Sequence, residues 1–376
     1  MAQEKKQSKK SNSISNKVIV IAVSIALVAL IVILNIIGTD TIYSSEKTDM
    51  GFPVTFTSND IIDVESMKSN IFVLTKKYVT CINKNGETKY DFSFTFSEPS
   101  IYVNDKYGIV YDTMSDKYIL FDKDGIVRQS ETKDNKYIYT AKVTEKGEVL
   151  IVTKSSDSAC VMYLYDKKAR EKFVWSCGDE YIVSADTASN GKKIICGAVG
   201  VYNSEIYSKV YVFDISSDTP EREYTVPGSS CIDVKLMGKS AVVTCNDQRL
   251  LYDISDDNDD GTSVQFNSKA LFFSADEDAN TAIITDAPEN EEGEYRLSLY
   301  NKKNELLYAT AIDGSIDDVI CVDECVYILQ NNIVRQIAKN ASDKGNLNHS
   351  KKSIGIVKAG GSIYCYYLGG VEKAVV

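Results

Sequence analysis

The sequence predicts an all-β chain closed into an eight-bladed propeller behind one N-terminal transmembrane helix. Three observations carry that reading: an uncharged apolar run near the start, short β-branched and aromatic runs throughout the rest, and one hairpin that recurs at fixed offsets.

The apolar run is "VIVIAVSIALVALIVILNII", residues 18–37, broken only by Ser24 and Asn35. Twenty helical residues match a hydrocarbon core of about 30 Å. No A-x-A cleavage pattern and no lipobox cysteine follows in "GTDTIYSSEK", so the run reads as an uncleaved signal anchor. Residues 1–17 form a leader with Lys5, Lys6, Lys9, Lys10 and Lys17 against Glu4, which the positive-inside rule places in the cytoplasm. Residues 38–52 are then a linker and residues 53–376 an extracytoplasmic domain of a single-pass cell-membrane protein. The chain has a net charge of -11, all of the excess acid lying beyond the span. Such an exterior disfavours nucleic acid and anionic lipid as partners.

From residue 53 the apolar runs are separated by Asn, Asp, Gly and Lys turns, with only five Pro in the chain. "IIDVESMKSNIFVLTKKYVTCIN" (61–83) lies over "CIDVKLMGKSAVVTCNDQRLLYD" (231–253) without a gap, and over "DDVICVDECVYILQNNIVRQIAK" from Asp317. Asp63, Asp233 and Asp318 thereby share one register. The segment around Tyr102 fits with Tyr102 in the Asp position, and the C-terminal segment with Ile356 there. Hairpin turns at 76–77, 115–116, near 156, near 204, at 246–247, near 290, at 331–332 and at 369–370 mark eight four-stranded meanders; merging the sixth and seventh would leave seven. The last meander runs out of chain after three strands. "GFPVTFTS" is the spare strand, and pairing residues 53–58 with 371–376 would close the ring and remove two open edges.

With those repeats in view, the chain resembles the PQQ-like and WD40-like propeller superfamily, and most closely its eight-bladed, quinoprotein-dehydrogenase-like shape. "YLYDKKAREKFVW" (163–175) is similar to that repeat: Asp166 follows the third strand and Trp175 stands where a Trp docks between blades, while Arg170 replaces the turn Gly. The vicinal Cys pair of the quinone enzymes is absent, and Trp175 is the sole Trp. The arrangement of basic leader, span and propeller also resembles single-span membrane-protein families of Gram-positive bacteria with no assigned function. The resemblance implies a non-enzymatic platform for assembly or binding; a propeller oxidoreductase or glycan-active hydrolase is the alternative.

His349 is the only His, which removes Ser-His-Asp and Cys-His catalysis. It is expected in a solvated turn. Gly238 in "LMGKSAVV" is a turn residue, since Asp233 replaces the upstream Gly of a phosphate loop. In "DDNDDG", Asp256, Asn258, Asp260 and Thr262 have the spacing of successive calcium ligands, although Val264 and Asn267 fill the later ligand positions; apart from this candidate calcium loop no cofactor is expected. Asp63, Asp233 and Asp318 would line the channel mouth and favour cationic or hydroxyl-rich ligands, or else cap N–H groups of neighbouring blades. Nine Cys are expected as reduced core thiols, three pairs being placed symmetrically about turns: Cys160 with Cys177, Cys231 with Cys245, and Cys321 with Cys325. The partner expected is a membrane-proximal envelope protein or glycan.

Overall fold

The computed structural model describes residues 51–376 apart from 58, 59, 134, 135, 257 and 376; the leader, the span over 18–37 and most of the linker lie outside the described residues. Eight sheets of four antiparallel strands form the molecule. Their first strands, which wall the central channel, are Ile61–Met67, Pro99–Val103, Ile138–Val143, Tyr181–Thr187, Cys231–Met237, Phe272–Ala275, Asp318–Val322 and Gly355–Ala359. All eight predicted hairpin turns fall between the second and third strands of a blade. Among the described residues no helix is long and apolar enough to cross a membrane.

Blade 8 takes its outer strand, Val54–Thr55, from the start of the domain. Val54 pairs with Val371 and Thr55 with Gly370, and the Phe56 N–H donates to the Gly369 carbonyl at 2.9 Å. Closure therefore uses the expected strands over a narrower span than 53–58 with 371–376. The last residues turn toward blade 7, where Val375 bridges Asn348 and Ala374 is buried beside Leu347. Gly51 makes the entry possible: its φ is +110°, and a Cβ there would meet the Asn85 carbonyl at 2.1 Å.

Strand alternation sends apolar side chains into the seams between blades. Phe72, Leu74 and Phe121 fill the first seam, and Trp175 packs on Tyr211 at 4.9 Å and Phe213 at 4.8 Å in the third. Asp166 behaves as the repeat resemblance implies: its carboxylate accepts the N–H groups of Lys168 and Arg170 at 2.8 and 2.9 Å and closes the turn after the third strand. Asn83, Asp122, Asp214, Asp253 and Asn301 accept turn N–H groups in the same way in other blades. The seam between blades 5 and 6 is different. Among the described residues no apolar cluster spans it, and the fully buried Arg249 donates across it to the Asn301 carbonyl, Asn304 Oδ1 and the Ala279 carbonyl at 2.9, 2.7 and 2.7 Å.

Three sequence expectations change here. Ser100, opposite Tyr111, takes the register of Asp63, opposite Leu74, so Tyr102 lies two positions further along its strand. The longer second turn of blade 2 had absorbed those two residues. The His349 side chain is wholly buried rather than solvated, its Nδ1 2.8 Å from the Lys351 carbonyl and 3.5 Å from Glu372. Glu372 draws the turn inward by accepting the N–H groups of Ser350 and Lys351 at 2.8 and 2.9 Å. Finally, Cys160 faces Cys177 and Cys231 faces Cys245, but Cys321 faces Val326 while Cys325 faces Val322, so the third pair points to opposite sides of its blade. All nine cysteines are free thiols, eight of them buried.

Candidate functional site

Antiparallel meanders give the ring two faces. On the lower face lie the turns between first and second strands and between third and outer strands; on the upper face lie the turns between second and third strands and the connections between blades. The two faces are chemically unlike.

The lower mouth of the channel holds two adjoining hollows of about 380 and 710 Å³, both lined by Tyr102, Asn104, Lys235, Glu277 and Asp278. Glu65, Lys142 and Asp186 complete the wall. Burial and the charge of Asp63 push the Glu65 carboxyl up to about 8. Burial also raises Asp186 and Glu277, and pushes Tyr102 up to about 12. Burial works against the charge of Lys235, but Tyr102, Asp186 and Asp233 outweigh it and hold the ammonium above its usual range.

The three sequence-selected aspartates stand one layer deeper, and the structure brings only two of them together. Burial raises Asp63 and Asp318, and the charge of Asp318 lifts Asp63 further. Tyr366 of blade 8 bonds to the Asp63 carboxyl. Asp63 accepts the Val64 N–H at 2.8 Å; Asp318 accepts the Val319 N–H at 2.8 Å and, across the blade boundary, the Ile356 N–H at 2.9 Å. Asp233 accepts from Ser184 Oγ at 2.6 Å and from Lys142 Nζ at 3.3 Å. A lysine thus compensates one of the three, and the channel is of mixed charge rather than an acidic ring. Lys142, Asp186 and Lys235 were missed: they lie on the first strands of blades 3, 4 and 5, and only Lys235, two residues from Asp233, was within reach of period-2 counting.

In the "DDNDDG" loop, Asp256 Oδ1 accepts the Asn258 N–H at 3.0 Å and Asp259 accepts the N–H groups of Asp253 and Gly261. Thr262 begins the outer strand of blade 5, and its carbonyl accepts from Asn304 at 3.3 Å. Among the described residues no group of three or more His, Cys, Asp or Glu side chains is placed to hold a metal ion.

The upper face mixes charged turns with exposed apolar side chains. Most of the exposed large hydrophobic side chains lie in or beside its turns, whereas Ile126, Leu306 and Leu307 border turns of the lower face. The densest group sits on blades 3 and 4: Tyr137, Tyr139, Tyr181, Val201, Tyr202 and Ile206. The second and third strands of blade 4, Lys193–Tyr202 and Glu205–Asp214, are ten residues long against six in most blades, so their hairpin stands proud. At its tip Val201 is 67% and Tyr202 73% exposed. Tyr139 and Tyr181 meet edge-on at its foot, 6.4 Å between ring centroids. Register shifts at Ile62, Tyr139 and Val183 turn those residues out of the regular alternation and into solvent.

A family model described as a family of unknown function, DUF5711, matches residues 40–372. The chain belongs to the DUF5711 family. No curated protein matches. Among solved structures, BamB from Moraxella catarrhalis is similar with a TM-score of 0.57 at 9% identity, over 86% of this chain and 98% of that one. Sqt1 of Saccharomyces cerevisiae gives 0.58 at 8% identity over 87% and 99%, and the computationally designed Ika8 protein 0.61 at 9% over 86% and 98%. At these identities the likeness is one of fold alone.

Proposed function

We propose that this DUF5711 chain is a non-enzymatic binding module of a cell envelope, anchored by residues 18–37 with its leader in the cytoplasm and its propeller outside, and that its upper face docks a protein partner. The observation that carries the reading is the sidedness of the ring. A cluster of exposed aromatic and aliphatic side chains on and beside the projecting blade-4 hairpin, within a polar surround, has the composition of an interface core, where such anchors enter pockets of a partner. In this reading Asp63 and Asp318 hold the channel wall by capping N–H groups, and the docking contact belongs to the turns above them. A linker of about fifteen residues spans at most about 50 Å, so the partner is membrane-proximal.

A photoreactive phenylalanine at position 202, with a second chain carrying it at Lys123 on the lower face, tests this in intact cells. Irradiation should give discrete protein adducts from position 202 and none of the same size from position 123. Adducts that carry glycan would transfer the role to a glycan partner. Identical adducts from both positions, or none from 202, would reject a docking face.

A further inference from the structure

Cys160 and Cys177 stand opposite each other on the third and outer strands of blade 3, and Cys231 and Cys245 on the first and second strands of blade 5. Backbone hydrogen bonds join the residues just outside each pair. The Ala159 N–H is shared between the Gly178 and Cys177 carbonyls, both at 3.0 Å, the Asn246 N–H donates to the Ser230 carbonyl at 2.9 Å, and the Cys231 N–H goes to Ser208 Oγ at 2.7 Å rather than to Cys245. These are non-hydrogen-bonded pairs, in which Cα atoms of an antiparallel ladder approach to about 4.5 Å and side chains come closest. That separation lies within the range a disulfide spans, about 4.4 to 6.8 Å. In blade 3 both thiols turn to Glu180, Cys160 donating to its carbonyl and Cys177 to its Oε2, each at 3.6 Å, and in blade 5 Cys231 donates to the Asp233 carbonyl at 3.8 Å.

We propose that Cys160–Cys177 and Cys231–Cys245 are two cross-strand disulfide sites, formed by exchange with a disulfide oxidant, and that the other five cysteines remain thiols. In blade 3 the first attacker is Cys160. The neighbouring Cys177 and the Ile182 N–H, which its sulfur accepts at 3.4 Å, hold it below the usual thiol range. The Cys160 thiolate breaks the oxidant's S–S bond, forms a mixed disulfide and releases one oxidant thiol. Cys177 then displaces the second. Two S–H bonds and one S–S bond break, one S–S bond forms in the protein, two electrons pass to the oxidant, and the two released thiols carry the two protons. Burial requires the exchange to occur as the chain folds or when the strands open.

Within the sheets of the described residues no other cysteine stands opposite a cysteine. Cys196 faces Ala185 and Tyr211, Cys81 faces Phe72 and Tyr90, and Cys365 faces Ile356 and Glu372. Cys321 and Cys325 belong to apolar clusters on opposite sides of blade 7. Both proposed bonds lie at strand ends beneath the upper face, on either side of the blade-4 hairpin. The inference stands on strand register and holds whether or not that face binds a partner.

The test uses the full-length chain in two arms. Purified protein in detergent is equilibrated with glutathione disulfide, and a second sample is synthesised cell-free with detergent in the same oxidant, so that access during folding is covered. Thiols are counted by mass after alkylation in denaturant. The expected result is nine alkylated cysteines from a reducing buffer and five from at least the sample folded in oxidant, with peptides linked 160 to 177 and 231 to 245. The Cys177→Ser, Cys245→Ser variant should keep all seven of its thiols. Nine thiols in both oxidised wild-type samples, or linkages through Cys196 or Cys321, would overturn the proposal, and the wild-type arms decide it even if the variant fails to fold.

Discussion

Replacing Arg249 with Met should loosen the ring at one seam. The guanidinium is fully buried and makes three hydrogen bonds of 2.7 to 2.9 Å to blade 6, all to neutral acceptors. Burial lowers its pKa to about 10, so it remains charged at neutral pH without a carboxylate beside it. Methionine restores apolar volume but leaves the Ala279 and Asn301 carbonyls and Asn304 Oδ1 without those donors. Each hydrogen bond to a charged donor contributes about 1.5 to 3 kcal/mol. Returning the charge to water on unfolding offsets much of that sum, so the net loss should be about 3 kcal/mol. In a domain of this size that corresponds to a fall in melting temperature of about 4 to 5 °C. Thermal unfolding followed by circular dichroism measures it, with Arg249→Lys as a control that keeps charge but not the forked geometry. A Met variant melting within about 2 °C of the parent would refute the view that this contact, rather than apolar packing, fastens blades 5 and 6.

Deleting residues 371–376 should cost about 5 kcal/mol or more, since it removes the buried Val371, the Glu372 bonds to Ser350 and Lys351, and the pairing with Val54. Two open edges should also lower solubility; sedimentation and melting equal to the parent's would exclude this closure. Glu65 has a folded pKa of about 8 against 4.5, so the native state holds a proton that the unfolded chain releases between those values, and stability falls as pH rises through that window. Glu65→Gln removes the slope and should gain about 1 to 2 kcal/mol at pH 8 after solvent screening, with little gain at pH 5; parallel melting curves at the two pH values would contradict the shift. A C-terminal tag should be cleaved by protease added to intact spheroplasts, and protection until the membrane is opened would place the propeller on the other side.

The fold was legible because each blade repeats the same local physics. Apolar runs joined by polar turns, two residues long at Asn331-Asn332 and longer in blades 2, 3 and 6, mark every meander, and the missing strand of blade 8 pointed to the start of the domain. What escaped the sequence depends on partners far away along the chain. His349 reads as polar and exposed until Glu372 draws its turn inward, and nothing near Arg249 shows that it will cross a seam to Asn304. Asp233 looks equivalent to Asp63 by register, yet only Asp233 meets Lys142. The exposed apolar side chains of the upper face were hidden for a further reason: bulges at Ile62, Tyr139 and Val183 interrupt the alternation by which buried and exposed positions are told apart.

The measurement that tests the central claim most directly is partner capture by a chain altered only at the hairpin tip. Val201→Ser, Tyr202→Ser and Ile206→Ser change side chains that are already exposed, so the variant should fold and melt as the parent does. Crosslinked complexes isolated from intact cells and compared by quantitative mass spectrometry should show the partner reduced at least about tenfold, the consequence of losing about 1.4 kcal/mol or more of binding. Full capture by the folded triple variant would contradict the assignment of the upper face as the docking surface.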